Sequence, residues 1–241
     1  MRIRPVGAHA LLIECGGVGG LAASELVEAW RAELWQRRQR GDLTATEIVP
    51  AANTVLLDGL TNPAVTATQL SRWAPTVTAA AHTPAEPADL ALAVPTERPD
   101  QVISTAETAR STQGAGAEVV VEVLFDGPDL SVVAERWGVD VAGVRHRLTG
   151  TSFRVAFCGF APGFPYLTGL PAELALPRLP TPRPRVPAGS VALAGPYAGI
   201  YPSASPGGWL LVGRTDLPLF DVDSDPPARL GPGTRVRMVA A

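Results

Sequence analysis

The chain contains no lysine: all 20 of its basic residues are arginine. That excludes a phosphate-loop lysine, a Schiff-base lysine and a Ser-Ser-Lys amidase site within these 241 residues. Charge of either sign is scarce, at 18% of residues, and the net charge of −3 argues against a nucleic-acid partner. No apolar run reaches the ~18 residues that a membrane-spanning helix needs. The N-terminal MRIRPVGAHALLIECGG is too short in its apolar part, and too strand-like in its alternation, to read as a secretory leader. Only two cysteines occur, Cys15 and Cys158, without metal-type spacing, so a reduced cytoplasmic protein is expected. His9, His82 and His146 stand far apart and show no ligand spacing with Cys, Asp or Glu, so no metal site is expected.

Glycine and proline, by contrast, are abundant and concentrated. Nine of the 24 glycines and eleven of the 24 prolines fall in the 57 residues from Gly159 to Thr215. Such density is usual in linkers, but here it is interleaved with Phe160, Phe164, Tyr166, Val191, Ile200, Tyr201, Trp209 and Leu211. A disordered segment lacks that much burial-driving surface. The stretch reads as short strands, Val186–Ala194 and Trp209–Gly213 among them, joined by stiff loops shaped to form a pocket.

The remaining elements follow from periodicity. Ala22–Arg40 carries an apolar stripe of Leu26, Trp30 and Leu34, with Ser24 near its start and Gly41 beyond its end, and predicts a helix. Arg2–Glu14 predicts a strand or hairpin, and Thr46–Ala51 and Thr54–Asp58 two strands. A helix over Asn62–Trp73 is expected to end before Pro75. This order predicts a small α+β domain over 1–74, with helices on one face of an antiparallel sheet. Residues 75–116 read as a variable linker or insertion, with a helix over Arg98–Thr112, and Gly16–Gly20 as a plain loop that lacks the full G-x-G-x-x-G pattern. From 117 to 241 the pattern is mainly β. Glu118–Phe125 predicts a buried strand, Leu130–Trp137 and Val141–Leu148 two helices capped by Asp129 and Asp140, and Ser152–Cys158, Leu217–Val222 and Arg235–Val239 further strands. Short strands at even spacing imply a closed or nearly closed barrel.

The motifs GFAPGFPYL (Gly159–Leu167), VPAGSV (Val186–Val191), GIYPSASPGGW (Gly199–Trp209) and GRT (Gly213–Thr215) carry a resemblance. With the Pro-Arg pairs at 177–178 and 182–183, and DGPDL at Asp126–Leu130, they resemble the family of the 5-oxoprolinase B subunit, also called KipI or allophanate hydrolase subunit 1. The resemblance implies a cyclophilin-like β-barrel behind the α+β domain. It implies two partners, a C subunit (KipA-like, allophanate hydrolase subunit 2) and a third oxoprolinase subunit, the complex consuming ATP to open 5-oxoproline to glutamate. Self-association into a homo-oligomer also fits. Two other outcomes remain open: a KipI-like inhibitor of a histidine kinase, and a component of a urea- or allophanate-related hydrolase. One departure stands out. Many relatives carry a histidine five residues before the aromatic that opens the GFxPGF strand; here that position is Leu148, and His146 lies two residues earlier.

Candidate binding residues come from the same stretch. Arg178, Arg183 and Arg214 can offer planar forks of donors to a carboxylate. The alternative is that they pair with Asp221, Asp223 or Asp225, or lie in solvent. Ser190 and Ser205 sit beside glycines that can present backbone N–H groups to an anion, although neither lies in a hydrolase elbow and turn-satisfying hydroxyls are the simpler reading. Phe164, Tyr166 and Tyr201 are expected to line a pocket or partner surface, with Gly163, Gly207 and Gly208 shaping the loops around them. No complete acid, base and nucleophile set emerges, and no catalytic residue is assigned.

Overall fold

The Leu26–Trp30–Leu34 stripe does what its spacing implies: each side chain is at most 1% exposed, and together they lie over a sheet. The computed structural model describes residues 1–16, 22–82 and 118–241. The helix expected over Arg98–Thr112, and Gly17–Gly20 of the glycine loop, lie outside the described residues. The first sheet is built from β1 (Arg2–Val6), β2 (Ala10–Glu14), β3 (Glu47–Pro50) and β4 (Thr54–Asp58), all antiparallel in the order β1-β2-β4-β3. Helices α1 (Ala23–Arg40) and α2 (Pro63–Ala81) cover one face, where Leu11, Ile13, Ile48, Val55 and Leu57 meet Trp30, Leu34, Leu70 and Val77. Burying side chains of this size stabilises by about 1.5–3 kcal/mol each before entropy is counted.

Two helix ends differ from expectation. Ser24 lies inside the first turn of α1; the start is closed instead by Glu25, whose carboxylate accepts the Ala22 N–H at 2.8 Å. Gly41 does end the helix, in the left-handed conformation at φ 80°. Helix α2 does not stop before Pro75 but continues to Ala81. Proline removes one backbone donor, yet Pro75 and Ser71 face solvent, so the freed Ser71 carbonyl is accessible to water, while the following turn buries Val77. Tertiary burial outweighs the local break.

The second sheet is larger. Its strands are β5 (Glu118–Val123), then, after helices α3 (Leu130–Trp137) and α4 (Val141–Gly150), β6 (Ser152–Cys158), β7 (Pro165–Thr168), β9 (Ser190–Ala194), β10 (Tyr197–Ile200), β12 (Leu210–Arg214) and β13 (Arg235–Ala240). The order is β12-β9-β10-β7-β6-β13-β5, antiparallel except for β13 beside β5. The sheet curls until its edges meet at one bridge, where Leu124 and Arg214 exchange backbone hydrogen bonds of 2.8 and 2.9 Å. A separate ribbon pairs β8 (Arg183–Val186) with β11 (Ser205–Gly207). The architecture is thus mixed α+β, with four helices among the described residues and a curled sheet.

Three strand expectations change. Val186–Ala194 is not one strand: the Pro187–Gly189 turn, with Gly189 at φ +77°, splits it into β8 and β9. Leu217–Val222 forms no strand and contributes only a bridge from Phe220 to Ala228. Strand β5 is buried on one face alone, through Val121 and Val123, while Val120 is 43% exposed. Asp140 caps α4 by accepting the Gly143 N–H at 2.7 Å, but Asp129 makes no cap bond at α3. Its carboxylate is engaged elsewhere.

Candidate functional site

Strand side chains alternate between faces, so the curled sheet sends every second residue inward. Val191, Leu193, Leu167, Ala198, Ile200 and Val212 fill the interior, and Ala192, Ala194, Tyr166, Tyr197 and Leu211 point to the outer face. Phe157 comes into contact with them after a register shift between Val155 and Phe157 in β6. On this outer face lies a layer of seven touching rings: Phe157, Phe160, Phe164, Tyr166, Tyr197, Tyr201 and Trp209. All three tyrosines of the chain belong to it. Phe164 is its centre, edge-on to Tyr201 at 5.1 Å and to Trp209 at 5.4 Å; Phe157 stacks on Tyr166 at 4.3 Å. Pairs of this kind add about 0.5–1.5 kcal/mol each beyond burial. The floor must be small. A Cβ on Gly199 would come within 2.8 Å of Trp209 and 2.9 Å of Phe164, and one on Gly207 would collide with the Tyr201 hydroxyl.

The structure separates the three candidate arginines. Arg183 donates from one Nη to both oxygens of Asp129, at 2.7 and 2.9 Å, and from the other to the Trp209 carbonyl at 3.3 Å. The same carboxylate accepts the Leu211 N–H at 2.6 Å. Arg183 therefore ties the β8 ribbon to α3 and steadies Trp209. Arg214 pairs at 3.0 Å with Asp126 on the exposed end of β12 and is not part of the aromatic layer. The partners are Asp129 and Asp126, not Asp221, Asp223 or Asp225. Arg178 has no carboxylate partner among the described residues and is exposed, its guanidinium 6.0 Å from the Trp209 ring centre. Its segment is fixed on both sides: Leu176 bridges Gly195, and the Leu179 N–H donates to the Gly208 carbonyl at 2.7 Å.

Burial pushes the phenols of Tyr166 and Tyr201 above their ordinary range, and the Arg178 charge pulls both part of the way back. Burial likewise raises Tyr197. The field of Arg178 thus reaches two tyrosines that stay protonated, and can donate, at neutral pH. Phe164 and Tyr201, expected to line a pocket, are each only 1% exposed and Trp209 5%, packed under the sheet's outer face. The exposed Arg178 guanidinium and the half-buried Tyr166 are the donors a small anion can reach.

A separate hollow lies between the two sheets' helices and strands. A cleft of about 420 Å³ opens between α1, the end of α2 and the β6–β7–β10 face, with Glu25, Glu28, Arg154, Thr168, Phe157 and Tyr197 on its walls. None of the candidate arginines lines it. Its cation is Arg154, held by Glu28 at 3.0 Å, and Glu28 also takes Arg31 at 2.6 Å. Phe157 and Tyr197 belong both to the cleft and to the aromatic layer, so the two features share a wall. The sequence offers no sign of Phe157, Tyr197 or Arg154 as site residues and suggests Asp129 only as a helix cap; strand register and the curl of the sheet bring them to these positions. Phe160 lies in the GFAPGFPYL motif that carries the resemblance but is not among the candidate binding residues.

The remaining candidates are placed as follows. Gly163, at φ +77°, packs against Leu219 and Phe220. Gly208 holds the Arg178 segment. Ser190 is buried at the start of β9, opposite Arg214, and Ser205 Oγ donates to the Ser203 carbonyl at 3.5 Å within its own loop. Leu148 is fully buried in the interior of the curled sheet, and His146 is exposed on α4 near Arg237 and Met238, so neither reaches the aromatic layer. No cluster of three or more His, Cys, Asp or Glu side chains suited to a metal occurs among the described residues, and no described helix is long and apolar enough to cross a membrane.

Comparison with known proteins agrees with this architecture. The family model described as "Carboxyltransferase domain, subdomain C and D" matches residues 1–230. The 5-oxoprolinase B subunit of Escherichia coli O157:H7 is 50% identical over 113 residues, which are 47% of this chain and 52% of that protein. The match thus spans about half the length of this curated relative. The crystal structure of TTHA0988 superposes with a TM-score of 0.66 at 29% identity, covering 97% of this chain and 40% of that one. The Kluyveromyces lactis urea amidolyase shares the fold, with a TM-score of 0.59 at 18% identity over 99% of this chain and 15% of that one.

Proposed function

Because this chain belongs to the family of the carboxyltransferase domain, subdomains C and D, we propose that it is the B subunit of an ATP-dependent complex that hydrolyses 5-oxoproline to glutamate. In this reading the curled sheet is the cyclophilin-like barrel expected from the resemblance, and the smaller sheet with its two helices is a separate domain. The observation that carries the proposal is Arg178, an exposed guanidinium on a backbone segment held at both ends, without a carboxylate partner among the described residues. It lies 6.0 Å from the Trp209 ring centre, and its charge is felt by the Tyr166 phenol. 5-Oxoproline is a small ring bearing one carboxylate and one amide. Arg178 takes the carboxylate and Tyr166 donates to an oxygen, while Trp209 and Tyr201 back them from within the layer.

Hydrolysis adds water across the amide carbon–nitrogen bond, with the nitrogen leaving as the amine of glutamate. That needs a base and a source of activation. The described residues around Arg178 include no carboxylate, histidine or lysine placed to serve, so another polypeptide supplies them. The donor set does not fit a triphosphate either, since Arg183 and Arg214 are already engaged with aspartates. ATP is handled outside this shelf.

The test is reconstitution with the C subunit and the third subunit, reading 5-oxoproline-dependent ADP release. The expected result is activity for the complex and none for the chain alone. Arg178→Ala should raise KM for 5-oxoproline at least about tenfold, the cost of one charge-assisted hydrogen bond, without changing the melting temperature. Activity of the chain alone, or an unchanged KM in the variant, refutes the reading.

A further inference from the structure

The aromatic layer ends in a side chain that folding alone does not require. Phe160 has φ +71°, the only positive value for a non-glycine residue among the described residues, and it is 62% exposed. A residue with a Cβ is disfavoured there, and an exposed ring recovers little by burial. The turn enforces it: the Ala161 N–H donates to the Gly159 carbonyl at 2.8 Å, and the Phe164 N–H to the Ala161 carbonyl at 3.0 Å. Phe160 stands edge-on to Phe164 at 5.4 Å and Tyr201 at 6.2 Å, with its outer side open.

Gly163 of the same turn touches the 216–225 stretch, where a Cβ would come within 2.7 Å of Phe220 Cβ. That stretch exposes Phe220 at 40% and Val222 at 77%. It also exposes Asp216, Asp221, Asp223 and Asp225, contains no basic residue, and none of these aspartates pairs with an arginine among the described residues. The turn and the stretch it touches thus expose three apolar side chains among four aspartates, at the Phe160 edge of the aromatic layer. Exposed apolar patches with polar rims mark interaction sites, and strain at an exposed aromatic points the same way.

We propose that Phe160, Phe220 and Val222, ringed by these aspartates, form the docking surface for the polypeptide that carries the complementary carboxyltransferase part, the C subunit of the proposed complex. The inference rests on that functional reading. Three observations select the occupant. The matched family comprises subdomains C and D alone, and this fold makes up only 40% of the TTHA0988 chain, so there it is joined to a larger remainder. The rim carries four acidic side chains and therefore calls for a basic socket. Contact of Phe160 with Phe164 and Tyr201 means that a partner seated on it lies beside the aromatic shelf, which lacks a base of its own.

Calorimetric titration of this chain with its C subunit tests the surface. Phe160→Gly suits the backbone and should hold or raise the melting temperature, yet weaken binding at least about tenfold, as loss of an aromatic anchor does. The pair Phe220→Ser with Val222→Ser should weaken it likewise. Asp216→Asn with Asp223→Asn should lower the association rate and flatten its salt dependence. In the ADP-release assay, excess Phe160→Gly chain should restore the wild-type maximal rate. Unchanged affinity in the variants overturns the docking proposal alone, as does a lost rate that excess chain does not restore, or an effect confined to self-association seen by sedimentation. Failure of the wild-type chain to bind a C subunit removes the functional reading and this inference with it.

Discussion

Asp129 is only 6% exposed and accepts three hydrogen bonds from two donor groups, so its replacement by asparagine is a sharp test of what holds the aromatic layer. Asparagine matches the shape but offers one oxygen where the carboxylate offers two. Its amide nitrogen must then face either the Arg183 guanidinium or the Leu211 N–H, donor against donor. Loss of a charge-assisted bond costs about 1.5–3 kcal/mol, and an unsatisfied buried N–H about 1–3 kcal/mol. The Arg183 side chain is 28% exposed and can turn toward water, which places the sum near the lower end. We expect about 3 kcal/mol, close to the bottom of the range for breaking a buried pair. For a chain of this size that corresponds to a melting shift of roughly 6–12 °C. Urea unfolding followed by tryptophan fluorescence measures it, with Arg183→Met and the double variant closing a cycle. Arg183→Met leaves Asp129 with the Leu211 N–H and should cost less than Asp129→Asn. A coupling energy of about 1–2 kcal/mol is expected between the two sites. A loss below about 0.5 kcal/mol in Asp129→Asn, within the ordinary range for a surface change, or additive single losses, would refute the reasoning. Because Arg183 also holds the Trp209 carbonyl, the same variant should raise KM in the ADP-release assay.

Gly199→Ala should cost about 1–3 kcal/mol, since the new methyl meets both Trp209 and Phe164 in a packed layer; a thermal melt within a degree of wild type would argue against that packing. Leu148→His places an imidazole in the fully apolar interior and should destabilise by about 2 kcal/mol or more, with no gain in ADP release; rising activity would show that a histidine acts from inside the sheet. Burial pushes the Cys15 and Cys158 thiols up to about 11 from an ordinary value of 9.0. Between those values the unfolded chain has shed protons that the folded chain retains, so their contribution is complete below about pH 9 and declines toward pH 11. The raised tyrosines act in the same direction. Urea midpoints across this range should fall, less steeply in Cys158→Ala, and an unchanged slope in that variant would count against a buried thiol.

What the sequence alone determined here is what acts over a few residues or over the whole composition. The absence of lysine excludes a class of chemistry regardless of fold. The stripe through Leu26, Trp30 and Leu34, closed by Gly41, specifies α1 because one helical turn brings those side chains together. Motif order was enough to indicate the family. Local signals failed where distant burial outweighed them, as at Pro75, which α2 crosses to bury Val77. Only the tertiary structure decided which charges meet. Arg183 lies 54 residues from Asp129, and Arg154 lies 126 residues from Glu28. No spacing rule reaches that far, because strand register and the curl of the sheet set those distances. The same register turned Tyr166 and Tyr197 outward beside Phe157 while Leu167 and Ala198 went into the core. It left Arg178 without a carboxylate beside it among the described residues, although in the sequence it looks no different from Arg183.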